Sequence, residues 1–226
     1  MQAVNWIRQE GVKGLKSPLK TYAFVSGEQV ETIIIALHGF GDNAQNFAFL
    51  GQQFPIQNAL WLFPQGPKPA SGIPNGAQWF PLFADPAFEK KQSQEFLQIL
   101  IENTLQATSL RSRNLFLLGF SQGGAVALYS AHRCIDPLGG IVVMSGFLSD
   151  CYLNSKTFSQ NTLENTPILL THGLEDNVVF PAMMFDCHVT LKNLGIKNLT
   201  YKTYCATHTI TNDMVFDVKK FIEGHR

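Results

Sequence analysis

The most informative stretch of the chain is Asn114-Leu-Phe-Leu-Leu-Gly-Phe-Ser-Gln-Gly-Gly-Ala125. Its apolar run, residues 115–118, predicts a buried strand, and the residues from 124 onward favour a helix. Between them stands a G-x-S-x-G pentapeptide, which is typical of a nucleophile elbow, a strained strand-to-helix turn that presents a serine hydroxyl. Side chains at Gly119 and Gly123 would collide with elements packed against so sharp a turn. The pattern predicts that Ser121 is a nucleophile.

The length and composition of the chain are those of a folded globular protein. At 226 residues it is long enough for a substantial core, and we expect a single domain over residues 1–226. Hydrophobic residues make up 45% and charged residues only 15%, which excludes a disordered or tail-bearing protein. Lys+Arg and Asp+Glu both count 17, so the zero formal charge gives no electrostatic reason to expect nucleic acid or an anionic membrane as a partner.

The sequence shows no pattern typical of a targeting, membrane-spanning or metal-binding segment. Residues 1–10 lack a basic region followed by an apolar one, and no apolar run is long enough to cross a bilayer. We therefore expect a cytoplasmic protein. Cys134, Cys151, Cys187 and Cys205 have no C-x-x-C spacing and no neighbouring His pair, so we expect no metal site. We expect these cysteines to be free buried thiols, and disulfides are the alternative.

Strand and helix patterns alternate along the chain, with no internal repeat and no Gly/Ser linker. The predicted strands are residues 20–25, 32–37, 59–63, 115–118, 140–145, 168–171 and 199–205. The predicted helices are residues 44–54, 91–108, 122–132, 183–194 and 212–222. Several strands are almost continuously apolar, which suits strands buried on both faces of a parallel sheet. We expect an α/β fold with a mostly parallel, doubly wound sheet and helices on both faces.

Residues 65 to about 90 break this alternation, because Gly and Pro recur through them. A long irregular loop in a compact domain is usually functional or disordered, and the aromatic residues argue against disorder. We expect this loop to form one wall of a substrate site. The residues expected to contact substrate are Ile73, Trp79, Phe80, Leu82 and Phe83. The alternative is that these side chains pin the loop to the domain.

A serine nucleophile needs a base, normally a histidine that is oriented by a carboxylate. In this architecture the chain order is serine, acid, histidine, each on a loop at the carboxyl end of a strand. Two acids follow predicted strands, Asp150 and Asp176. Asp176 is favoured because it lies between a strand and a helix that begins with proline. We expect the neighbouring Glu175 to face solvent.

Six histidines compete for the role of the base. Only His208 follows the last strand and precedes the last helix, so it is the predicted base. His38 precedes the serine and is expected to hold the neighbouring turn, and His172 is expected to brace the loop of Asp176. The others, on helices or in the tail, are His132, His188 and His225.

An oxyanion hole needs two backbone N–H groups aimed at the developing negative oxygen. One comes from the residue after the nucleophile, Gln122. The turn His38-Gly-Phe-Gly41 follows an earlier predicted strand, and it makes Phe40 the expected second donor. Its glycines would let the backbone approach the site closely.

With these residues assigned, the chain resembles the acyl-protein thioesterase/carboxylesterase family, the phospholipase/carboxylesterase group of the α/β-hydrolases. The matching segments are Leu37-His-Gly-Phe-Gly-Asp-Asn43, Gly119-Phe-Ser-Gln-Gly-Gly-Ala125, Ser145-Gly-Phe-Leu148, His172-Gly-Leu-Glu-Asp-Asn-Val-Val179, His208 and Trp79-Phe80. The resemblance covers roughly residues 17–222. Two departures are Pro81, where the family has Asp, and Thr207, where many members have Gly.

The resemblance implies an α/β-hydrolase fold without a separate cap domain, and cleavage of carboxylic esters or acyl thioesters without metal or organic cofactor. It supports Ser121, Asp176 and His208 as a catalytic triad, with Phe40 and Gln122 as oxyanion donors. The expected partner is an acyl substrate, which is a small ester, a lipid or an S-acylated protein, and the loop at residues 65–90 is then expected to be its acyl-chain wall. A homodimer is compatible with the sequence. Lysophospholipase activity and an inactive, hydrolase-like binding protein are the alternatives.

Overall fold

The computed structural model describes residues 7–8, 15–81, 86–131, 133–148 and 160–226. Its strands are β1 (Ile7–Arg8), β2 (Thr21–Ser26), β3 (Thr32–Leu37), β4 (Ala59–Pro64), β5 (Lys68–Pro69), β6 (Ala77–Gln78), β7 (Leu115–Phe120), β8 (Gly140–Met144), β9 (Ile168–Gly173) and β10 (Leu199–Tyr204). Its α-helices are α1 (Ala44–Phe47), α2 (Leu50–Gln53), α3 (Pro86–Thr108), α4 (Gln122–Ala131), α5 (Gln160–Glu164), α6 (Pro181–Asn193) and α7 (Asn212–His225).

The main sheet has the strand order β1-β2-β4-β3-β7-β8-β9-β10. The pairs from β4 through β10 are parallel, while β2 runs antiparallel to β4 and to β1. The central strand β3 is buried along its whole length, as its continuous apolar run predicts. The predicted mostly parallel α/β sheet is confirmed.

Helices cover both faces of this sheet, and each face has its own hydrophobic core. On one face α3, α4 and α6 bury residues such as Leu100, Val126 and Met184. On the other face α1, α2 and α7 bury Phe47, Leu50 and Val218 against the sheet. The predicted doubly wound arrangement is confirmed.

Two helical predictions needed correction. Residues 44–54 form two short helices instead of one, because the N–H groups of Phe49 and Gln52 bond the carbonyls three residues earlier and tighten the chain between them. Helix α3 begins at Pro86, inside the predicted irregular loop, because proline is well suited to the first turn of a helix. The remaining loop also contains the small β5–β6 hairpin.

Other boundaries moved by a few residues. Strand β8 stops at Met144 because Ser145 takes a left-handed conformation with φ 47°. Strand β9 continues to Gly173 and helix α7 to His225, further than the apolar patterns reach. The short elements β1 and α5 were not predicted.

The cysteines follow the prediction only in part. Cys134 and Cys187 are free and buried, and burial raises the pKa of each thiol to about 12. Cys205 is free but exposed, because it follows the edge strand β10, much of which faces solvent. Cys151 lies outside the described residues.

No helix among the described residues is long and apolar enough to span a membrane.

Candidate active site

Ser121 stands at the turn between β7 and α4, with the backbone strain expected of an elbow. Its φ is 54°, in the left-handed region that a non-glycine residue rarely adopts. The Ser121 N–H donates to the Met144 carbonyl at 2.8 Å, and the Ala125 N–H donates to the Ser121 carbonyl at 3.2 Å. A Cβ on Gly119 would lie 2.2 Å from the Gly123 carbonyl oxygen, which confirms that this position needs glycine.

Ser121, His208 and Asp176 form one continuous chain of hydrogen bonds. The His208 Nε2 atom lies 3.0 Å from the Ser121 Oγ, and the His208 Nδ1 lies 2.7 Å from the Asp176 Oδ2. Because an ionised carboxylate only accepts, Nδ1 carries the proton, and Nε2 of the neutral ring is left to accept from the serine hydroxyl. This is the orientation a base needs to remove the proton of Ser121.

The Asp176 carboxylate is buried yet fully hydrogen-bonded. Its Oδ1 accepts from the N–H groups of Val178 and Val179, both at 2.9 Å, and its Oδ2 accepts from His208. Burial by itself would raise the pKa of Asp176. The bonds from His208 and the two amides outweigh burial and hold the pKa of this carboxyl below its usual value.

Backbone hydrogen bonds join the loop that carries Asp176 to the loop that carries His208. The Leu174 N–H donates to the Tyr204 carbonyl at 2.8 Å, and the Glu175 N–H donates to the Ala206 carbonyl at 3.0 Å. A Cβ on Gly173 would lie 2.2 Å from the Ala206 carbonyl oxygen, so only glycine allows this approach. These contacts fix the separation of Asp176 and His208.

His172 lies beside Asp176 and contacts its loop. Its Nε2 donates to the Val179 carbonyl at 2.8 Å and lies 3.4 Å from the Asp176 Oδ2. Burial lowers the pKa of His172, so the ring is neutral. Its contacts match the predicted role of bracing the acid loop.

The turn after β3 lies next to the turn that carries Ser121. Within the described part of the chain, the backbone N–H groups of Phe40 and Gln122 are left without hydrogen-bond partners. Gly41 has φ 80°, and a Cβ on Gly39 would lie 3.2 Å from the Phe120 ring. Two unpaired amides on these adjoining turns match the donor set predicted for an oxyanion hole.

His38 holds this turn, as predicted. Its Nδ1 donates to the Gly39 carbonyl at 2.7 Å, and its Nε2 accepts from the Gly66 N–H at 3.0 Å. The side chain is fully buried, and burial lowers the pKa of His38 despite the bond to Gly39. A neutral ring therefore links the turn to the start of the 65–81 loop.

The predicted substrate residues separate into three groups. Trp79 and Phe80 are buried in the core, Trp79 with no exposed surface, which favours the alternative that these side chains pin the loop to the domain. Ile73 is exposed and lies against the turn at residues 38–42, which we call the oxyanion turn after its predicted role. A Cβ on Gly41 would be 2.6 Å from the Ile73 Cδ1. Leu82 and Phe83 lie outside the described residues.

The remaining candidates lie away from the hydrogen-bonded chain or beyond the described residues. Glu175 is exposed, as expected. His188 lies on α6 and His225 in the last turn of α7. Asp150 and His132 fall outside the described residues.

Phe120 is a neighbour of His208 that the sequence does not predict. Its ring packs against His208, with the ring centroids 4.8 Å apart, and it occupies the variable position before the serine in the pentapeptide. The pentapeptide pattern carries no signal for this contact. Among the side chains that are described, no group of three His, Cys, Asp or Glu residues is arranged as metal ligands would be.

The parallel sheet, the strained serine turn and the strand-end loops define an α/β-hydrolase. The family model of phospholipases and carboxylesterases matches residues 22–226. The chain belongs to that family and is an enzyme of the hydrolase class.

Two named relatives and a solved structure each match more than four fifths of the chain. Acyl-protein thioesterase 1 of Saccharomyces cerevisiae is 30% identical over 207 residues, which are 84% of this chain and 91% of the yeast protein. Carboxylesterase SOBER1 of Arabidopsis thaliana is 29% identical over 209 residues, covering 85% of this chain and 90% of its own length. The crystal structure of SOBER1 gives a TM-score of 0.76 at 27% identity over 86% of this chain and 98% of that chain.

Proposed function

We propose that this enzyme is a serine hydrolase that cleaves carboxylic esters or acyl thioesters through an acyl-enzyme on Ser121. The observation that carries the proposal is the unbroken hydrogen-bond chain from the Ser121 Oγ through His208 to the buried Asp176. The strained φ of Ser121 supports the same role, because it directs the hydroxyl out of the sheet towards the strand-end loops.

Acylation begins when His208 Nε2 takes the proton of Ser121 and the Oγ attacks the carbonyl carbon of the substrate. The carbonyl oxygen becomes negative, and the N–H groups of Phe40 and Gln122 donate to it. His208 then gives its proton to the leaving alcohol or thiol, and the carbon–oxygen or carbon–sulfur bond breaks. The acyl group stays on Ser121.

Deacylation repeats the sequence with water as the nucleophile. His208 takes a proton from water, the hydroxide attacks the acyl carbon, and the proton returns to the Ser121 Oγ as the carboxylic acid leaves. Asp176 keeps its negative charge throughout, which its lowered pKa favours, and so stabilises the imidazolium that forms in each half-reaction.

For the substrate, we propose an acyl ester or thioester of the kind that carboxylesterases and acyl-protein thioesterases cleave. Relatives with both names match the chain over most of its length. Ile73 is the described loop residue best placed to contact an acyl chain, because it is exposed beside the oxyanion turn. Leu82 and Phe83 remain proposed acyl contacts on the basis of sequence.

A hydrolysis panel tests this proposal. It compares p-nitrophenyl esters of graded acyl length, an acyl-CoA, a lysophospholipid and an S-acylated peptide, with Ser121→Ala as the control. Turnover of esters or thioesters by the wild type and its loss in the variant support the proposal. Preference for the lysophospholipid would favour the lysophospholipase alternative, and no turnover of any substrate would favour an inactive binding protein.

A further inference from the structure

Residues 77–80 lie between the two turns that carry the unpaired amides. We call these four residues the brace segment. At its start, Ala77 pairs with the oxyanion turn in both directions: the Gly41 N–H donates to the Ala77 carbonyl at 2.9 Å, and the Ala77 N–H donates to the Asp42 carbonyl at 2.8 Å. Two backbone hydrogen bonds therefore hold the start of the brace segment against the turn after β3.

Trp79 makes the next connection to the same turn. Its indole Nε1 donates to the His38 carbonyl at 2.9 Å, two residues before Phe40. The rings of Trp79 and His38 are in contact, with centroids 5.2 Å apart. From α3, the Ser93 hydroxyl donates to the Trp79 carbonyl, so the tryptophan is held at both its backbone and its ring.

The side chain of Gln122 ties the other end of the brace segment to the elbow. Its Oε1 accepts from the Trp79 N–H at 2.9 Å, and its Nε2 donates to the Phe80 carbonyl at 2.6 Å. The Gln122 carboxamide is thus the hydrogen-bond partner of two successive backbone groups, the Trp79 N–H and the Phe80 carbonyl. The backbone N–H of this same residue is the amide proposed as an oxyanion donor.

We propose that Trp79 and the side chain of Gln122 are positioning residues that set the distance between the two oxyanion amides. This rests on the proposed function, in which Phe40 and Gln122 donate to the oxyanion. Pre-organised donors contribute most when they are held to within a fraction of an ångström and when no water competes with them. Trp79 and Gln122 are both almost wholly buried, so the brace is rigid and shielded from water.

This role differs in its kinetic signature from that of a substrate wall. A residue that contacts the acyl chain alters substrate binding, and its loss raises KM. A residue that positions oxyanion donors acts mainly in the transition state, and its loss lowers kcat with little change in KM. The two roles can therefore be separated by steady-state kinetics on one ester.

The test uses two variants. Gln122→Met keeps the side-chain length and removes the hydrogen bonds to the Trp79 N–H and the Phe80 carbonyl. Trp79→Phe removes the indole N–H that donates to the His38 carbonyl and keeps the backbone bonds of residue 79. Gln52→Met, on the exposed face of α2, is the matched control. With a p-nitrophenyl ester that the wild type cleaves, we expect each brace variant to lose about 10- to 100-fold in kcat with KM within about twofold. A trifluoromethyl ketone, which forms an oxyanion on the serine, should bind each of them more weakly by a similar factor.

The outcomes separate this inference from the proposed function. If the wild type hydrolyses the ester and both folded variants keep its kcat, the positioning role is wrong while the hydrolase proposal stands. If KM rises and kcat is kept, the segment binds substrate instead. An inactive wild type overturns the hydrolase proposal itself. Far-UV circular dichroism and thermal unfolding check folding, and Gln122→Glu, which keeps the acceptor for the Trp79 N–H, replaces any variant that fails that check.

Discussion

The α-carbon of Gly123 lies against the backbone of Leu37, so that a Cβ at this position would be 2.2 Å from the Leu37 carbonyl oxygen. The same Cβ would lie 2.5 Å from the carbonyl oxygen of His38. These obstacles are backbone atoms at the end of the buried strand β3 and at the start of the turn after it, and they cannot move aside as a flexible side chain would. The first turn of α4 and the end of β3 are thereby fixed relative to each other.

We expect Gly123→Ala to lower the free energy of unfolding by about 3 kcal/mol or more, because the added methyl group forces α4 away from β3. Urea unfolding measures the change. Gly224→Ala is the matched control: nothing lies within 4 Å of its added Cβ, and alanine favours the helix α7 there. Equal stability of Gly123→Ala and the wild type would show that the elbow can relax.

Asp176→Asn tests the acid. We expect kcat to fall by about 10³- to 10⁴-fold, because a neutral amide neither fixes the His208 tautomer nor stabilises the imidazolium. Glu175→Gln removes the neighbouring exposed carboxylate and should leave kcat within about twofold. Steady-state hydrolysis of a p-nitrophenyl ester measures both variants. If the Glu175 variant is the inactive one, the acid has been misassigned.

Three histidines should make the free energy of unfolding depend on pH. Burial lowers the pKa of His38, His172 and His188 below the ordinary value of 6.5. Below about pH 6.5 the unfolded chain binds more protons at these positions than the folded chain does, so the free energy of unfolding falls as the pH falls. Each histidine contributes up to about 1.4 kcal/mol per pH unit.

Urea unfolding between pH 7 and pH 5.5 measures this dependence. His172→Gln keeps a donor for the Val179 carbonyl and removes one titrating group, so its stability should vary less steeply over that range than that of the wild type. Identical slopes for the two proteins, or stability that rises towards pH 5.5, would contradict the neutral state of His172.

Ile73 tests the proposed acyl contact. We expect Ile73→Ala to raise KM for long-chain p-nitrophenyl esters more than for the acetate, by about 3- to 10-fold, because apolar contact with the chain is lost. Ile99→Ala, at a similarly exposed position on α3, is the control and should leave the chain-length profile unchanged. Parallel profiles for Ile73→Ala and the wild type would exclude Ile73 from the acyl site.

The members of the site could be predicted because topology, rather than local conformation, brings them together. Parallel strands place the residues after β7, β9 and β10 at one edge of the sheet, and chain order then selects Ser121, Asp176 and His208. The structure brings these three side chains into contact, while their catalytic roles stay predictions. The sheet was predictable for a similar reason, since strands buried on both faces leave continuous apolar runs.

The brace could not be predicted because it depends on hydrogen bonds between distant residues. Trp79 lies 41 residues from His38 and 43 from Gln122 in the chain, and hydrophobicity alone made it a candidate pocket wall. The sequence pattern places Pro86 in a loop because proline usually interrupts helices, whereas in the structure Pro86 begins one. The left-handed φ of Ser145 likewise has no signature in a residue that is not glycine.

Reaction with a fluorophosphonate tests most directly whether Ser121 is an activated nucleophile. The Ser121 Oγ should attack phosphorus, fluoride should leave, and the serine proton should pass to His208. Peptide mass spectrometry is expected to find one adduct per chain, on the peptide that contains Ser121, and none in Ser121→Ala. An unlabelled wild-type protein, or labelling that persists at another serine in Ser121→Ala, would contradict the assignment.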